Sequence, residues 1–354
     1  MGTPSLLMVD GSQGKMMMKR PTISDVAALA GVSKSTISQY LNKRYKYMSE
    51  QTQEKIRIAI KELNYQPNEL ARGLKRKKTS MIGIIVATLV SEFTTEIIRR
   101  VEGECLKRGV QLVICNVEDD HQKERQYINT LVARQLDGLI VFPHAENKEL
   151  YLELIEHNYP LVFLDREISG VVVPTILFDN AEASRIAVEQ FVKKGHEKIA
   201  VLTKPIGEHF ITVRTERVDG YKRGLLENGL LVRNEYIYSV EMEKIQDSLA
   251  ELFSIAEPPT ALLAGNDMIL EEILVFAKEH QYAIPDHFSV IGIDDASFTR
   301  FYTPAITTIS QPTYDMGKKA AQVLLDMIDE KAEMTMTYRF PPQLNDRESV
   351  KELL

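Results

Sequence analysis

Two groups of side chains in this 354-residue chain have types and spacings that do chemistry. The first lies in SKSTISQYLNKR, residues 33–44. Ile37 and Leu41 recur at i and i+4, which places both on one face of a helix. Lys34, Ser35, Thr36, Ser38 and Gln39 fall on the other, a face of hydroxyls, an amide and an ammonium with no carboxylate. A merely solvated helix face usually mixes Glu with its Lys, so this one suits a polyanion. The second group is scattered. Asp165, Asp179–Asn180, Asn266–Asp267 and Asp294–Asp295 each close a short apolar run, and Arg166, Lys204, Arg214 and Arg217 add cations. Carboxylates and amides hydrogen-bond the vicinal hydroxyls that a sugar offers, and an arginine fork suits a carboxylate or phosphate. The plainer readings are helix capping by Asp and Asn and neutralisation of Arg166 and Arg214 by nearby acids. Capping is favoured for Asn180 and Asp267.

The first group needs helices to hold it. TISDVAALAGV, residues 22–32, reads as a short helix with Thr22 as N-cap and Asp25 as its box-like partner. Its apolar stripe is Val26, Leu29 and Ala30; Gly31 stops it, and Val32 is free to plug a small core. Helix, glycine turn, helix is a helix-turn-helix arrangement, in which the second helix enters the major groove of DNA. A third helix, capped by Ser49, carries the stripe Ile56, Ala59, Ile60 and Leu63. Pro67 then ends that element, Asn68 can cap a short new helix, and a basic run follows from Lys75 to Lys78. From Lys15 to Lys78 there are 15 Lys+Arg against 5 Asp+Glu, a net of +10 in a chain of −7, so the remainder is −17. A basic head on an acidic body is the electrostatic footprint of a nucleic-acid binder.

The second group needs strand ends. After Ser80, MIGIIVATL, VQLVICNV, DGLIVFP, PLVFLD, ILFD, EKIAVLT, TALLAGND and FSVIGIDD alternate with helical or turn segments. That alternation predicts parallel sheets with helices on both faces. Roughly ten strands exceed one comfortable doubly wound sheet, which favours two lobes, and ligands of such sheets bind beyond the carboxyl ends of the strands.

With 44% apolar residues the chain can bury real cores. Cys105 and Cys115 are too few and too close to staple it and form no metal-ligand pattern, so they read as buried thiols of a reducing cytoplasm. No run of 18 apolar residues exists, so no membrane span is expected. The opening MGTPSLLMVDGSQGK lacks a basic start and a long apolar core; it is not a signal peptide, and residues 1–18 are expected to be a disordered extension.

TISDVAALAGVSKSTISQYLN, LNYQPNELARGLKRKKT and IGIIV resemble the lac repressor/galactose repressor (LacI/GalR) family of bacterial transcription regulators. The likeness continues through VFLDR, GHEKIAVLT, RVDGY, AGND, IGIDD, TTISQP and PPQLNDRES, from about Thr22 to the end. The order of the motifs is the specific part; any one alone is weak. The resemblance implies a helix-turn-helix domain over 19–66, a hinge helix or linker over 67–78, and an effector and dimerisation domain over 79–354. That domain would have two periplasmic-binding-protein-like lobes, one of about 79–177 and 312–338, the other of about 178–311 and 339–354. The implied partners are double-stranded operator DNA, a small sugar or sugar acid, and a second copy of the chain. No cofactor, metal or membrane is expected.

On this reading Lys34 and Ser35 read base edges, with Gln39 third. Thr36, Ser38 and Asn42 hold phosphates and set register, and Thr22 is a further DNA-binding residue. Asn68 to Leu74, including Ala71, resembles the hinge helix, with Leu74 as a minor-groove wedge. The effector contacts implied are Asp165, Arg166, Arg217, Asn266 and Asp294. Phe93 is a possible stacking ring, although VSEFTTE stands where many family members have Asn-Pro-aromatic. SKSTISQYLNKRYKYMSE also resembles the variant found in repressors of ketodeoxygluconate and hexuronate use, whose effectors carry a carboxylate.

An enzyme is disfavoured. Asp294 and Asp295 are adjacent on a strand and point to opposite faces, no phosphate loop, GxSxG or HExxH occurs, and His196 follows a helix-stopping glycine as a turn residue. A secreted sugar receptor would leave the basic head unexplained. The alternative within the class is a global carbon regulator with a phosphoprotein corepressor.

Overall fold

The computed structural model describes residues 21–66, 78–206, 211–331 and 337–353. Two compact units divide the chain, one up to Lys77 and one from Lys78. The expected extension 1–18 and all of the linker 67–78 except Lys78 lie outside the described residues.

The first unit holds α1 (Ile23–Ala30), α2 (Lys34–Leu41) and α3 (Glu50–Glu62). Each start has a sequence cause. The Asp25 carboxylate accepts from both the backbone N–H and the hydroxyl of Thr22 at 2.7 Å. Ser33 and Ser49 each accept from a backbone N–H three residues on. Gly31 ends α1 at φ 65°, a left-handed conformation that glycine adopts without strain. Val26, Ala27, Ala30, Ile37, Ile56 and Ala59 form the buried core, with Ile60 and Leu63 packed against it. One expectation fails: Leu29 is 47% exposed, and Ala27 is buried instead. The inward face of α1 centres on Ile23, Val26, Ala27 and Ala30, and at 100° per residue Leu29 lies roughly 110° around from it.

The second unit contains two six-stranded sheets. The first lobe runs β1 (Met81–Val86), α4 (Glu92–Lys107), β2 (Gln111–Asn116), α5 (His121–Ala133), β3 (Leu139–Val141), α6 (Lys148–Glu156), β4 (Leu161–Leu164) and β5 (Thr175–Phe178). The second runs α7 (Asn180–Lys193), β6 (Ile199–Thr203), α8 (Thr212–Glu227), β7 (Ile237–Ser239), α9 (Ile245–Ser254), β8 (Ala261–Ala264), α10 (Asp267–Glu279), β9 (Ser289–Ile293), α11 (Phe298–Phe301) and β10 (Thr307–Ser310). The chain returns to the first lobe with α12 (Thr313–Ile328) and β11 (Thr337–Phe340), then to the second with β12 (Gln343–Asn345). The strand orders are 11-5-4-3-1-2 and 12-10-9-8-6-7, and β12 alone runs antiparallel to its neighbour. The third passage follows Phe340 rather than 338, because Arg339 and Phe340 continue the pairing with Leu177 and Phe178. Most central strands are buried throughout, as sheets covered on both faces must be.

One glycine sets a distance that matters to the site. A Cβ on Gly220 would stand 2.1 Å from the Ala181 carbonyl oxygen. Its absence lets α8 lie directly on α7, and Arg217, one turn earlier, reaches α7 as a result.

Candidate functional site

In the first unit, Ser33 at the start of α2 forms a hydroxyl cluster with Ser35 at 2.6 Å and Thr36 at 2.8 Å. Lys34, Ser35 and Gln39 are exposed, while Thr36, Ser38 and Asn42 are half-buried at the helix margin. The Asn42 amide donates to the Ser38 carbonyl at 2.7 Å and finishes the helix. Thr22, an expected DNA-binding residue, has its hydroxyl on Asp25. Asn68, Ala71 and Leu74 lie outside the described residues.

In the second unit, a cavity open to solvent lies where the carboxyl ends of both sheets face each other. Its lining includes Phe93, Asp165, Arg166, Arg217, Asn266 and Asp294, the six side chains singled out for a ligand. Asp165 ends β4 at φ 70° and Asp294 ends β9 at φ 78°. A left-handed conformation at a non-glycine residue is strained, and such strain gathers at functional sites. The two aspartates thus enter the cleft from matching positions of the two lobes. Burial raises the pKa of Asp294 to about 7; Arg217 opposes the shift and Asp267 adds to it. Burial likewise raises Asp165, against Arg166 and Arg217.

Arg217 is held rigidly. Its Nε donates to Asn180 Oδ1 at 2.8 Å, and one terminal nitrogen donates to the Gly265 carbonyl. Asn180 is therefore not the cap that was favoured: Asp179 caps α7 through the Glu182 N–H, and Asn180 is buried as the rest for Arg217. A second correction concerns Asp267. Asn266 caps α10 by accepting from Ile269 N–H at 3.0 Å while also lining the cavity. Asp267 reaches across the cleft instead, accepting from the Ser91 hydroxyl at 2.9 Å and the Glu92 N–H at 3.0 Å. It caps α4 of the other lobe. Glu92 reciprocates, accepting from the Ser297 N–H at 2.8 Å and hydroxyl at 2.6 Å at the start of α11. The segment that departs from the family pattern is thus a clasp between lobes. Asp295 points away, to Arg300, Arg347 and Thr308, and His196 ties Thr260 and Ser289 to the Lys351 carbonyl.

The residue that sequence reasoning missed is Asp119. It follows β2, where Glu118 and Asp119 take φ 55° and 56° in succession. Its carboxylate accepts from Arg166 at 2.8 Å and pairs with Arg214 of the other lobe at 2.5 Å. Burial would raise its pKa, but Arg166, a His144 hydrogen bond and Arg214 together hold it far below the usual carboxylate range. His144 stands between Asp119 and the fully buried Glu124, which it meets at 2.8 Å. Burial opposes its charge; the two carboxylates overcome that and raise it to about 9. His144 is accordingly an imidazolium, and its 3.4 Å approach to Arg166 is a contact of two donors held together by Asp119. Asp119 was findable by the same strand-end reading that found Asp165. Gln311, which donates to Asp294 at 2.7 Å from the passage between the lobes, carried no such signal.

Three buried polar atoms of the lining have no hydrogen-bond partner: Arg166 Nε, Thr203 Oγ1 and Gln311 Oε1. Arg166 Nε stands 3.8 Å from Asp165, beyond hydrogen-bonding range. Lys204, half-buried in the same wall, forms no ion pair among the described residues, and burial lowers its pKa. Phe93 meets Phe142 edge to face at 6.4 Å as an apolar side of the cavity. Among the described residues no cluster could hold a metal, and no helix is long and apolar enough to cross a membrane.

Comparison with known proteins matches residues 22–68 to "Bacterial regulatory proteins, lacI family" and residues 188–350 to "Periplasmic binding protein-like domain". The chain is 48% identical over 336 residues to the probable HTH-type transcriptional regulator EndR of Paenibacillus polymyxa, covering 94% of this chain and 99% of that one. It is 33% identical to the HTH-type transcriptional regulator KdgR of Bacillus subtilis, covering 87% and 91%. Among solved structures, the lac repressor bound to ONPG superposes with TM-score 0.82 at 26% identity, covering 94% of this chain and all of that one. A complex of the regulator CelR with cellobiose superposes with TM-score 0.69 at 26% identity, covering 93% and 100%.

Proposed function

The chain belongs to the lacI family of bacterial regulatory proteins, and from that membership we propose that it represses a carbohydrate-utilisation operon in the cytoplasm under control of a small sugar or sugar acid bound between its lobes. It is a DNA-binding transcriptional regulator built like the lac repressor. Two copies present two heads to a pseudo-palindromic operator, as dimeric helix-turn-helix proteins do. Lys34, Ser35 and Gln39 read base edges; Thr36, Ser38 and Asn42 hold the backbone. No catalytic role is assigned to any residue.

The observation that carries the effector reading is the set of unpartnered buried atoms in the cavity wall. An unsatisfied buried polar group costs about 1–3 kcal/mol; three such atoms belong to side chains that line this cavity, and a ligand that draws them into the cavity would supply partners. Thr203 and Gln311 offer acceptors to hydroxyls; Asp165, Asn266 and Asp294 add more. The cations favour an acidic sugar. Arg166 and Arg214 share the single carboxylate of Asp119, and Lys204 stands beside them. A charge-assisted bond from Lys204 to a ligand carboxylate would be roughly twice as strong as a neutral one.

The test is a thermal-shift titration of the full chain with ketodeoxygluconate, galacturonate, glucose and ribose, with and without operator DNA. Stabilisation by either acid, with a changed operator affinity, is expected. Tight binding of a neutral sugar with no response to either acid would remove the acidic-sugar reading. No response to any sugar would remove the carbohydrate reading.

A further inference from the structure

We propose that Arg166, Lys204 and Arg214, gathered around Asp119, form a separate anion subsite at one end of the cleft, which takes the carboxylate of an acidic sugar while the sugar's hydroxyls meet Asp294 at the other end; the proposal rests on the acidic-sugar reading of the cavity and states where the acid group goes. All four side chains line the cavity, and each lobe supplies two. Asp119 follows β2 and Arg166 follows β4, whereas Lys204 follows β6 and Arg214 stands in the first turn of α8.

The arginines are fixed but not used up. Asp119 gives one oxygen to each: Oδ1 accepts from Arg166 at 2.8 Å and Oδ2 from Arg214 at 2.5 Å. The Pro205 carbonyl accepts a further bond from Arg214 at 2.7 Å. A guanidinium carries five N–H donors, so donors are left on both. One is Arg166 Nε, which has no hydrogen-bond partner on a side chain only 5% exposed. Lys204 adds a half-buried ammonium whose pKa burial lowers. A buried cation without a counter-ion is costly, and an anion beside it removes that cost.

Charge decides which anion. His144 is held as an imidazolium between Asp119 and Glu124. Arg166, Lys204, Arg214 and His144 thus face the carboxylates of Asp119, Glu124 and Asp165, and one positive charge is left over even with Asp165 ionised. A carboxylate matches one charge; a phosphate monoester, at about −1.5 to −2 near neutral pH, exceeds it.

The subsite is also set apart from the hydroxyl contacts. Burial raises Asp165, and the charges acting on it come from both groups: Arg166, Arg217, Asp119 and Arg214. Burial raises Asp294 too, and the charges acting there are Arg217, Asp267 and Asp165. Asp165 therefore stands between the two ends. Because Lys204 and Arg214 belong to one lobe and Asp119 and Arg166 to the other, a carboxylate among them draws the lobes together.

The experiment is a calorimetric titration of the full chain with ketodeoxygluconate and galacturonate, each beside its neutral amide, and with galactose 6-phosphate. The parent should bind an acid about ten- to a hundredfold tighter than its amide, through bonds between charged groups. Lys204→Met removes a cation on which no ion pair among the described residues depends. It should lose most of that preference while binding the amide nearly as the parent does. Arg214→Gln should also lower the acid-to-amide ratio. Asp294→Asn should weaken acid and amide alike and leave the ratio unchanged. A purely structural role for Lys204 and Arg214 would move both ligands together, so the ratio isolates the acid contact. A parent preference that persists in both cation variants would overturn the subsite and leave the acidic-sugar reading standing. Tighter binding of galactose 6-phosphate than of either acid, lost in Lys204→Met, would overturn the carboxylate assignment. A parent that binds neither acid would remove the reading and the proposal together.

Discussion

The head and the cleft hold their polar groups in opposite ways. In the head they are contiguous in sequence, exposed, and bonded mostly to neighbours a few residues away, as in the Ser33–Ser35–Thr36 hydroxyl cluster. In the cleft they arrive from strand ends, loops and helix starts spread between Ala87 and Gln311, and most are buried. A surface that must meet a hydrated polyanion can leave its donors in water until contact. A cavity that must tell one small polar molecule from another needs its groups desolvated and aligned beforehand. That requirement shows as strain at Asp119, Asp165 and Asp294 and as unpartnered atoms at Thr203 and Gln311.

The largest expected effect breaks the head alone. Ile37 is fully buried in a core of few side chains. Ile37→Ala should cost about 2–5 kcal/mol, a large share of what so small a unit possesses. DNA binding should disappear while the sugar-induced thermal shift of the body persists; losing both would show that the two units do not fold independently. Next is Arg217→Ala. It strips Asn180 and the Gly265 carbonyl of their donor and leaves Asp294 buried beside no cation as near. Effector affinity should fall by roughly 1–3 kcal/mol, about ten- to a hundredfold. Operator binding without effector should remain, and its loss in calorimetric or anisotropy titrations would contradict the division of roles.

The same contrast decides what the sequence made legible. The head's helices were visible because caps and stripes are local: Thr22 with Asp25, Gly31, Ser49, and Ile56 with Ala59 all act within a few residues. Leu29 was misplaced because Val26–Leu29–Ala30 and Val26–Ala27–Ala30 are both acceptable helical stripes, and only packing chooses between them. In the body, apolar runs marked the strands and strand ends pointed to Asp165 and Asp294. What could not be read was which end faces which. Asp267 and Asn266 are neighbours in a motif where either could cap; the cap fell to Asn266 because Ser91 and Glu92, 176 and 175 residues away, engage Asp267. Asp119 pairs with Arg214 at a separation of 95, which no local pattern encodes. The short edge strands β11 and β12 lack the apolar signature because each has one neighbour and half-exposed faces.

A smaller effect tests whether the clasp belongs to the cleft or only to the fold. Asp267→Ala removes the cap of α4, which costs about 0.5–2 kcal/mol. Because that cap comes from the opposite lobe, its loss should also lower the population of the closed cleft and weaken effector binding several-fold. Glu92→Gln keeps an acceptor for Ser297 and should do less. Differential scanning calorimetry and effector titration of both variants separate the cases. Reduced stability with unchanged effector affinity would make the pair a structural cap and nothing more.

The smallest effect is in pH, and it sharpens the contrast because the raised carboxylate belongs to the cleft. Asp294 has its pKa raised from 3.8 to about 7 by burial, with Arg217 opposing and Asp267 and Asp165 adding to the rise. The folded body therefore holds this proton where the unfolded chain has released it. The stability gained from that is complete below about pH 4 and is lost as pH rises through 7. An effector whose hydroxyls donate to Asp294 favours the ionised form, so binding should release a proton. Affinity should then rise with pH up to about 7 and level off above it, by at most about tenfold per pH unit. Asp294→Asn should flatten the profile, although its affinity will be lower throughout. Calorimetry in buffers of different ionisation enthalpy measures the proton directly. A parent profile as flat as that of the variant would mean that Asp294 stays neutral in the complex and serves as a donor rather than an acceptor.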